Sequence, residues 1–224
     1  MDISHHKLFG RRKGRPLRVR KSALVEELLP KLRISTEQGA SVHPSSFFAQ
    51  QKHEQVWLEI GFGGGEHLAA QAQQHPDRAF IGCEPFLNGV ASLLDHIDQG
   101  SIENIRIFDD DARKLLDAMH KHSLDGCFVL FADPWPKKRH AERRFIGREN
   151  LERLARVLKP GSLLRIASDH PTLIEWTREQ ILGCPDFTII HDSASEPEGW
   201  IQTRYQQKAL EAGRTPVFID CRRA

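Results

Sequence analysis

At 224 residues the chain can bury one full core, and one large domain with an appendage suits that length better than two equal domains. Hydrophobic residues make up 39% and charged residues 28%, the balance of a globular protein, and no apolar run approaches the ~20 residues a membrane span needs. The formal net charge of +2 hides an asymmetry, because residues 1–21 carry eight Lys or Arg against Asp2 alone, a net of +7 that leaves −5 for the remainder.

That basic arm (Lys7, Arg11, Arg12, Lys13, Arg15, Arg18, Arg20 and Lys21), with Gly10, Gly14 and Pro16 among its residues, reads as a mobile phosphate-binding tail. The alternative is a solubilising terminus. No apolar segment follows it, so a secretory signal is not expected here. The expected division is a flexible arm over residues 1–33 and a single domain over 34–224.

Beyond the arm, strands and helices alternate. Residues 56–60 read as a strand, 66–75 as a helix, 79–83 as a strand and 86–97 as a helix. Residues 104–108 and 126–131 are further strands, with a helix at 112–120 between them. Apolar residues at 151, 154, 155 and 158 mark a helix over 148–158, broken by Lys159-Pro160-Gly161 before a strand at 163–167. A helix fits 172–182, and short strands fit 187–190 and 216–220. Repeated strand–helix units predict a parallel sheet covered on both faces, with ligands at the carboxyl ends of its strands. Cys83, Cys127, Cys184 and Cys221 form no CxxC pair and two of them fall in apolar runs, so reduced core thiols in a cytoplasmic protein are expected. The twelve histidines show no metal-ligand spacing, and no metal is expected.

Two segments carry chemistry. The apolar run Cys127 to Phe131 stops at Asp133-Pro134-Trp135-Pro136, where two prolines cannot continue a ladder of backbone hydrogen bonds. A carboxylate and an indole are thus presented at a strand end, followed by Lys137, Lys138, Arg139, His140, Arg143, Arg144 and Arg148 against Glu142 alone. This acidic-aromatic corner with a cationic apron suggests a reaction site facing a polyanion, the plainer reading being a turn before a solvated helix face. With the basic arm, it makes nucleic acid the favoured partner.

The second segment is the turn Glu59-Ile60-Gly61-Phe62-Gly63-Gly64-Gly65, which follows the first strand and opens the first helix. Its glycines let backbone approach a ligand closely, a weak signal shared with dinucleotide-binding folds. Glu59 would repel a pyrophosphate but favour a cationic amino-acid moiety. Glu84 ends the next strand, where an acid can accept ribose hydroxyl hydrogens, and Asp111-Ala112 follows the third, where a carboxylate can meet an adenine amino group. Acids at successive strand ends suit S-adenosyl-L-methionine better than a diphosphate, with a nicotinamide or flavin ligand as the alternative.

Together these motifs resemble the bacterial tRNA (guanine(46)-N7)-methyltransferase family. The likeness runs through Ala167-Ser168-Asp169 into Thr203-Arg204-Tyr205-Gln206, and the arm from Phe9 to Arg15 is similar to that family's N-terminal extension. The resemblance implies a Rossmann-like class I methyltransferase: a mostly parallel seven-stranded sheet, helices on both faces and an antiparallel last strand. Monomer and homodimer both stay open. It implies S-adenosyl-L-methionine contacts from Glu59, Gly61, Gly63, Glu84, Asp111, Ala112 and Asp133, with Asp133 also catalytic. It implies tRNA contacts from Lys137, Asp169, Thr203, Arg204, Tyr205 and Gln206. The family pattern at the last site is Thr-Lys-Phe-Glu, so Gln206 lacks a carboxylate, and Asp169 becomes the stronger candidate for reading the base edge. The implied reaction is direct methyl displacement, in which guanine N7 needs no general base. Trp135 suits a stacking wall or plain core filling. The rival readings are a methyltransferase acting on another RNA or a small molecule, and an RNA-binding domain that keeps a nucleotide fold.

Overall fold

The computed structural model describes residues 9–36, 41–49 and 51–224. Seven strands form one sheet: β1 (Gln55–Ile60), β2 (Arg78–Cys83), β3 (Ile105–Phe108), β4 (Leu124–Leu130), β5 (Leu158–Ser168), β6 (Phe187–Ser193) and β7 (Val217–Arg223). Their spatial order is β3-β2-β1-β4-β5-β7-β6. β1 to β5 pair in parallel, and only β7 runs against its neighbours β5 and β6. The order reverses between β1 and β4, which opens a crevice at their carboxyl ends.

Alternation along the strands sorts the core into two layers. Val56, Leu58 and Ile60 of β1, Ile81 and Cys83 of β2, and Cys127 and Val129 of β4 face one layer. That layer is covered by α5 (Ala112–Ala118), α6 (Arg148–Val157) and α7 (Pro171–Leu182) through residues such as Leu115, Leu154 and Ile181. Trp57, Phe80, Phe128 and Leu130 point the other way, against α3 (Glu66–Gln74) and α4 (Leu87–Gly100), which contribute Leu68, Leu93 and Leu94. The four cysteines are buried free thiols. Among the described residues no helix is long and apolar enough to cross a membrane, and no cluster of His, Cys, Asp or Glu could hold a metal ion.

Three features depart from expectation. The breaker Lys159-Pro160-Gly161 lies within β5, not between helix and strand. Leu158 pairs with Leu124 and Leu163 with Gly126, so residues 159–162 bulge out of the ladder with Ser162 Oγ donating to the Lys159 carbonyl at 2.6 Å. Residues 204–211, not expected to be helical, form α8 (Arg204–Glu211), capped by Thr203, whose hydroxyl accepts from the Gln206 amide at 3.0 Å.

The third concerns the arm, of which Asp2 and Lys7 lie outside the described residues. Residues 19–32 fold as α1 (Val19–Glu27) and α2 (Leu29–Leu32), and Leu29 and Leu32 belong to the core. A boundary at residue 33 would cut through this packing. Leu24, Val25 and Leu28 supply an apolar face that a charge count overlooks. The cations find partners in the acidic remainder: Arg20 spans Asp95 and Asp98 of α4 at 2.8 and 2.7 Å, and Arg12 reaches Asp110 at 3.3 Å.

Candidate active site

A cleft of about 600 Å³ opens at the carboxyl ends of β1, β2 and β4, within the usual range for small-ligand sites. Its floor is the glycine turn. Gly61 and Gly63 have φ of +73° and +57°, a region that L side chains rarely adopt. A Cβ on Gly63 would lie 2.9 Å from Tyr205 Cε2, so the turn and α8 meet only because that position is bare.

Glu84 stands just past β2, buried, with its carboxylate accepting from the Gly63 amide at 2.9 Å and the Phe86 amide at 3.0 Å. Burial lifts its pKa above the ordinary Glu range, the two amides oppose that rise, and repulsion from Asp133 and Glu59 adds to it. Two donors leave lone pairs free on a carboxylate, so Glu84 can still accept from a ligand. Asp111 caps α5 and takes a fork from Arg113, with Nε at 2.9 Å and Nη2 at 2.5 Å. Asp111, Ala112 and Asp133 line the cleft, and Asp133 sits exposed at its mouth. Tyr205 closes the opposite side. Its hydroxyl pKa is raised by burial first and by Glu84 and Asp133 beyond that, so it stays a neutral donor between acids.

Several predicted residues stand elsewhere. Glu59 is not part of the cleft wall: it lies on the opposite face of β1, 3% exposed, with Oε2 2.7 Å from His67 Nδ1 of α3. Strand alternation dictates this, since Ile60 takes the place nearest the cleft. Gln206 is also buried. Its Oε1 accepts from Trp200 Nε1 at 2.6 Å, and its Nε2 donates to Glu196 at 2.6 Å. With Thr203 buried as a cap and Arg204 3.9 Å from Glu66, only Tyr205 of residues 203–206 lines the cleft. Asp169 follows β5 at the same sheet rim, its carboxylate 2.5 Å from Arg214 Nε. Lys137 is exposed just before the short 3-10 helix Lys138–Arg143.

Other residues enter the site without having been singled out for it. Phe9, Gly10 and Arg11 line the cleft. The arm is stitched to the start of α4: Leu87 N donates to the Arg12 carbonyl at 2.9 Å, Gly14 N to Asn88 Oδ1 at 2.8 Å, and Asn88 Nδ2 to the Arg15 carbonyl at 2.8 Å. Arg143 lies against two rings that meet edge-to-face, with Cζ 4.5 Å from the Phe9 centroid and 5.1 Å from that of Trp135. Trp135 is therefore cleft wall, not core filling. The sequence signals that bear on these contacts are the likeness of Phe9 to Arg15 to the family extension and the cationic run after Trp135, neither of which says that the two segments meet.

Comparison with known proteins supplies the context for this cleft. Residues 53–219 match a family model described as "Putative methyltransferase". A tRNA (guanine-N(7)-)-methyltransferase of Paramagnetospirillum magneticum is 47% identical over 222 residues, covering 97% of this chain and 92% of the relative. One of Rhizobium meliloti is 43% identical over 223 residues, covering 96% and 94%. Among solved structures, the 16S rRNA methyltransferase KamB superposes with a TM-score of 0.59 at 15% identity, covering 84% of this chain and 95% of that one, which shows a shared fold. The chain belongs to the tRNA (guanine-N(7)-)-methyltransferase family.

Proposed function

We propose that this protein transfers a methyl group from S-adenosyl-L-methionine to N7 of guanine 46, in the variable loop of tRNA, in the cytoplasm. The observation that carries this reading is the cleft itself, where Glu84, Asp111 and Asp133 stand round a bare glycine turn beside a cationic surface. The cradle suits an adenosyl ligand bearing positive charge, because the side of Gly61 where a Cβ would stand is open, with nothing within 4 Å of that point, and the neighbouring acids would repel a diphosphate. The named activity of the relatives supports tRNA and guanine N7. The Asp133 to His140 string, through its family resemblance, supports position 46.

The bound cofactor supplies an electrophilic methyl on a sulfonium. Guanine N7 carries an in-plane lone pair and no hydrogen, so its methylation by direct displacement would need no proton removed and no general base from the chain. The chain's contribution is then alignment and charge. Asp133 holds negative charge at the mouth of the cleft, where the base becomes cationic and where an ammonium group can also be held. Glu84 takes ribose hydroxyl hydrogens, and Asp111 meets the adenine edge. Lys137 grips phosphate or the acceptor edge of the base, Asp169 faces its donor edge, and Tyr205 stacks on ligand or base. Glu59, Thr203 and Gln206 serve from within, holding α3 and α8 in place.

The test is to incubate an unmodified tRNA transcript with enzyme and S-adenosyl-L-methionine, then map N7-methylguanine by reduction and aniline scission. Scission at guanine 46, abolished when that base is replaced by adenine, is the expected result. Scission at another guanine would reject the position, and no scission would reject the reaction.

A further inference from the structure

Arg144 lies inside the cationic run that follows the reaction corner, yet it is 6% exposed whereas Lys137, Lys138, Arg139 and Arg148 face solvent. Its Nε donates to the Pro134 carbonyl at 3.0 Å and its Nη2 to the Trp135 carbonyl at 3.0 Å. The guanidinium also rests on Trp176, with Cζ 4.9 Å from the ring centroid, and Trp176 Nε1 is anchored on the Ile146 carbonyl at 2.5 Å. The corner needs such a brace. Phe131 and Trp135 have φ of +51° and +41°, left-handed values that non-glycine residues seldom adopt and that persist only where the surroundings impose them. Pro134 and Pro136 have no amide hydrogen to stitch the turn from within.

We propose that Arg144 is a positioning residue for methyl transfer. Its planar fork spans two successive carbonyls and holds the 133–136 corner in the shape that presents Asp133 and Trp135 to the cleft. It does not bind tRNA phosphate. A lysine would keep the charge but offers a compact point donor that cannot match this fork. The inference rests on the reading of Asp133 as part of the reaction site.

Arg144→Lys and Arg144→Met, checked for folding by circular dichroism, are assayed for single-turnover methylation of tRNA at saturation and for tRNA affinity across a salt series. The expected result is a 10- to 100-fold slower methyl-transfer step in both, since a misplacement of about 1 Å can cost 100-fold. The salt slope of tRNA binding should stay at the wild-type value even for Arg144→Met. A phosphate-binding role would instead leave the transfer rate intact and lower the slope by about one unit. Should neither variant fold, Trp176→Leu, which removes the platform without touching a charge, is expected to slow transfer three- to tenfold with an unchanged slope. A wild-type transfer rate in a folded Arg144→Lys enzyme, or in Trp176→Leu where both Arg144 variants fail to fold, overturns the proposal. Absence of N7-methylguanine with the wild-type enzyme would instead strike the reading of the site as a whole.

Discussion

Gln206→Glu changes one amide to a carboxylate, restores the family pattern at that position, and should nevertheless destabilise this chain. The Gln206 amide accepts from Trp200 Nε1 and donates to Glu196 Oε1, both at 2.6 Å. A carboxylate there would face the Glu196 carboxylate at the same distance, where two unit charges repel by about 6 kcal/mol at an effective dielectric of about 20. Glu196 is exposed and can swing into water, so the cost should settle near the loss of one hydrogen bond to a charged group, about 1.5–3 kcal/mol. A stronger bond from Trp200 to the new carboxylate offsets part of that, leaving about 1–2 kcal/mol, or a fall in Tm of about 2–8 °C for a domain of this size. Sharing a proton relieves the repulsion, and the folded pair therefore titrates above the unfolded carboxylates. Stability is accordingly retained in acid and lost as pH rises through the raised pKa, so the Tm deficit should be full at pH 7.5 and shrink at pH 5. Glu196→Gln in the same chain puts a donor back opposite the new acid and should recover most of the loss. An unchanged Tm at pH 7.5, or a double variant no more stable than Gln206→Glu alone, would refute this account of how α8 is held.

Other consequences of the site are open to direct measurement. Glu84→Ala should weaken S-adenosyl-L-methionine binding by about 1–3 kcal/mol in calorimetry, and unchanged affinity in a folded variant would remove Glu84 from the site. Because burial raises the Glu84 pKa, cofactor affinity should rise with pH as that group ionises, and a flat profile from pH 5 to 8 would count against its acceptor role. Asp133→Ala should slow transfer by about 100- to 1000-fold without loss of fold, with Asp133→Asn retaining more, and full activity in the alanine variant would exclude a catalytic part. Deleting residues 1–16 should flatten the salt dependence of tRNA binding by about one unit for each phosphate the arm had neutralised. It should also lower cofactor affinity several-fold, since Phe9, Gly10 and Arg11 line the cleft, and identical cofactor affinity would make those residues bystanders.

The sheet was legible because its signals are local. Five parallel strands announce themselves as apolar runs bounded by glycine, proline or acid, and strand alternation alone assigns the neighbours Trp57 and Leu58 to opposite core layers. The elements that escaped notice are those whose apolar face is thin. α8 buries only Gln206 and Ala209, so it carries no stripe of large apolar residues to mark a core face, and it is held by the Thr203 cap and by the bond from Trp200 to Gln206. α1 has no fully buried residue, and its place is set by Leu24 and Val25 resting on the core together with Arg20 reaching two aspartates about 75 positions away, contacts that no window of sequence contains.

The site was legible to the extent that strand ends are legible. Glu84, Asp111 and Asp133 fall at the carboxyl ends of β2, β3 and β4, and the structure gathers them into one cleft. Glu59 obeys a different constraint: as the next-to-last residue of β1 it must point away from Ile60, and a side chain on that face meets α3 and His67. Motif membership gives a residue's place along the chain, whereas the direction of its side chain follows from the two-residue period of the strand. The cationic run is subject to the same distinction. Charge counting treats Arg143, Arg144 and Arg148 alike, yet the first lies against the rings of Phe9 and Trp135, the second clamps two carbonyls out of solvent, and the third pairs with Glu152 on an exposed helix face. An arginine beside the half-buried Phe145 and the buried Ile146 is carried inward with them, and once inside, its fork must find acceptors. The proline-rich corner, whose carbonyls lack ladder partners, supplies them.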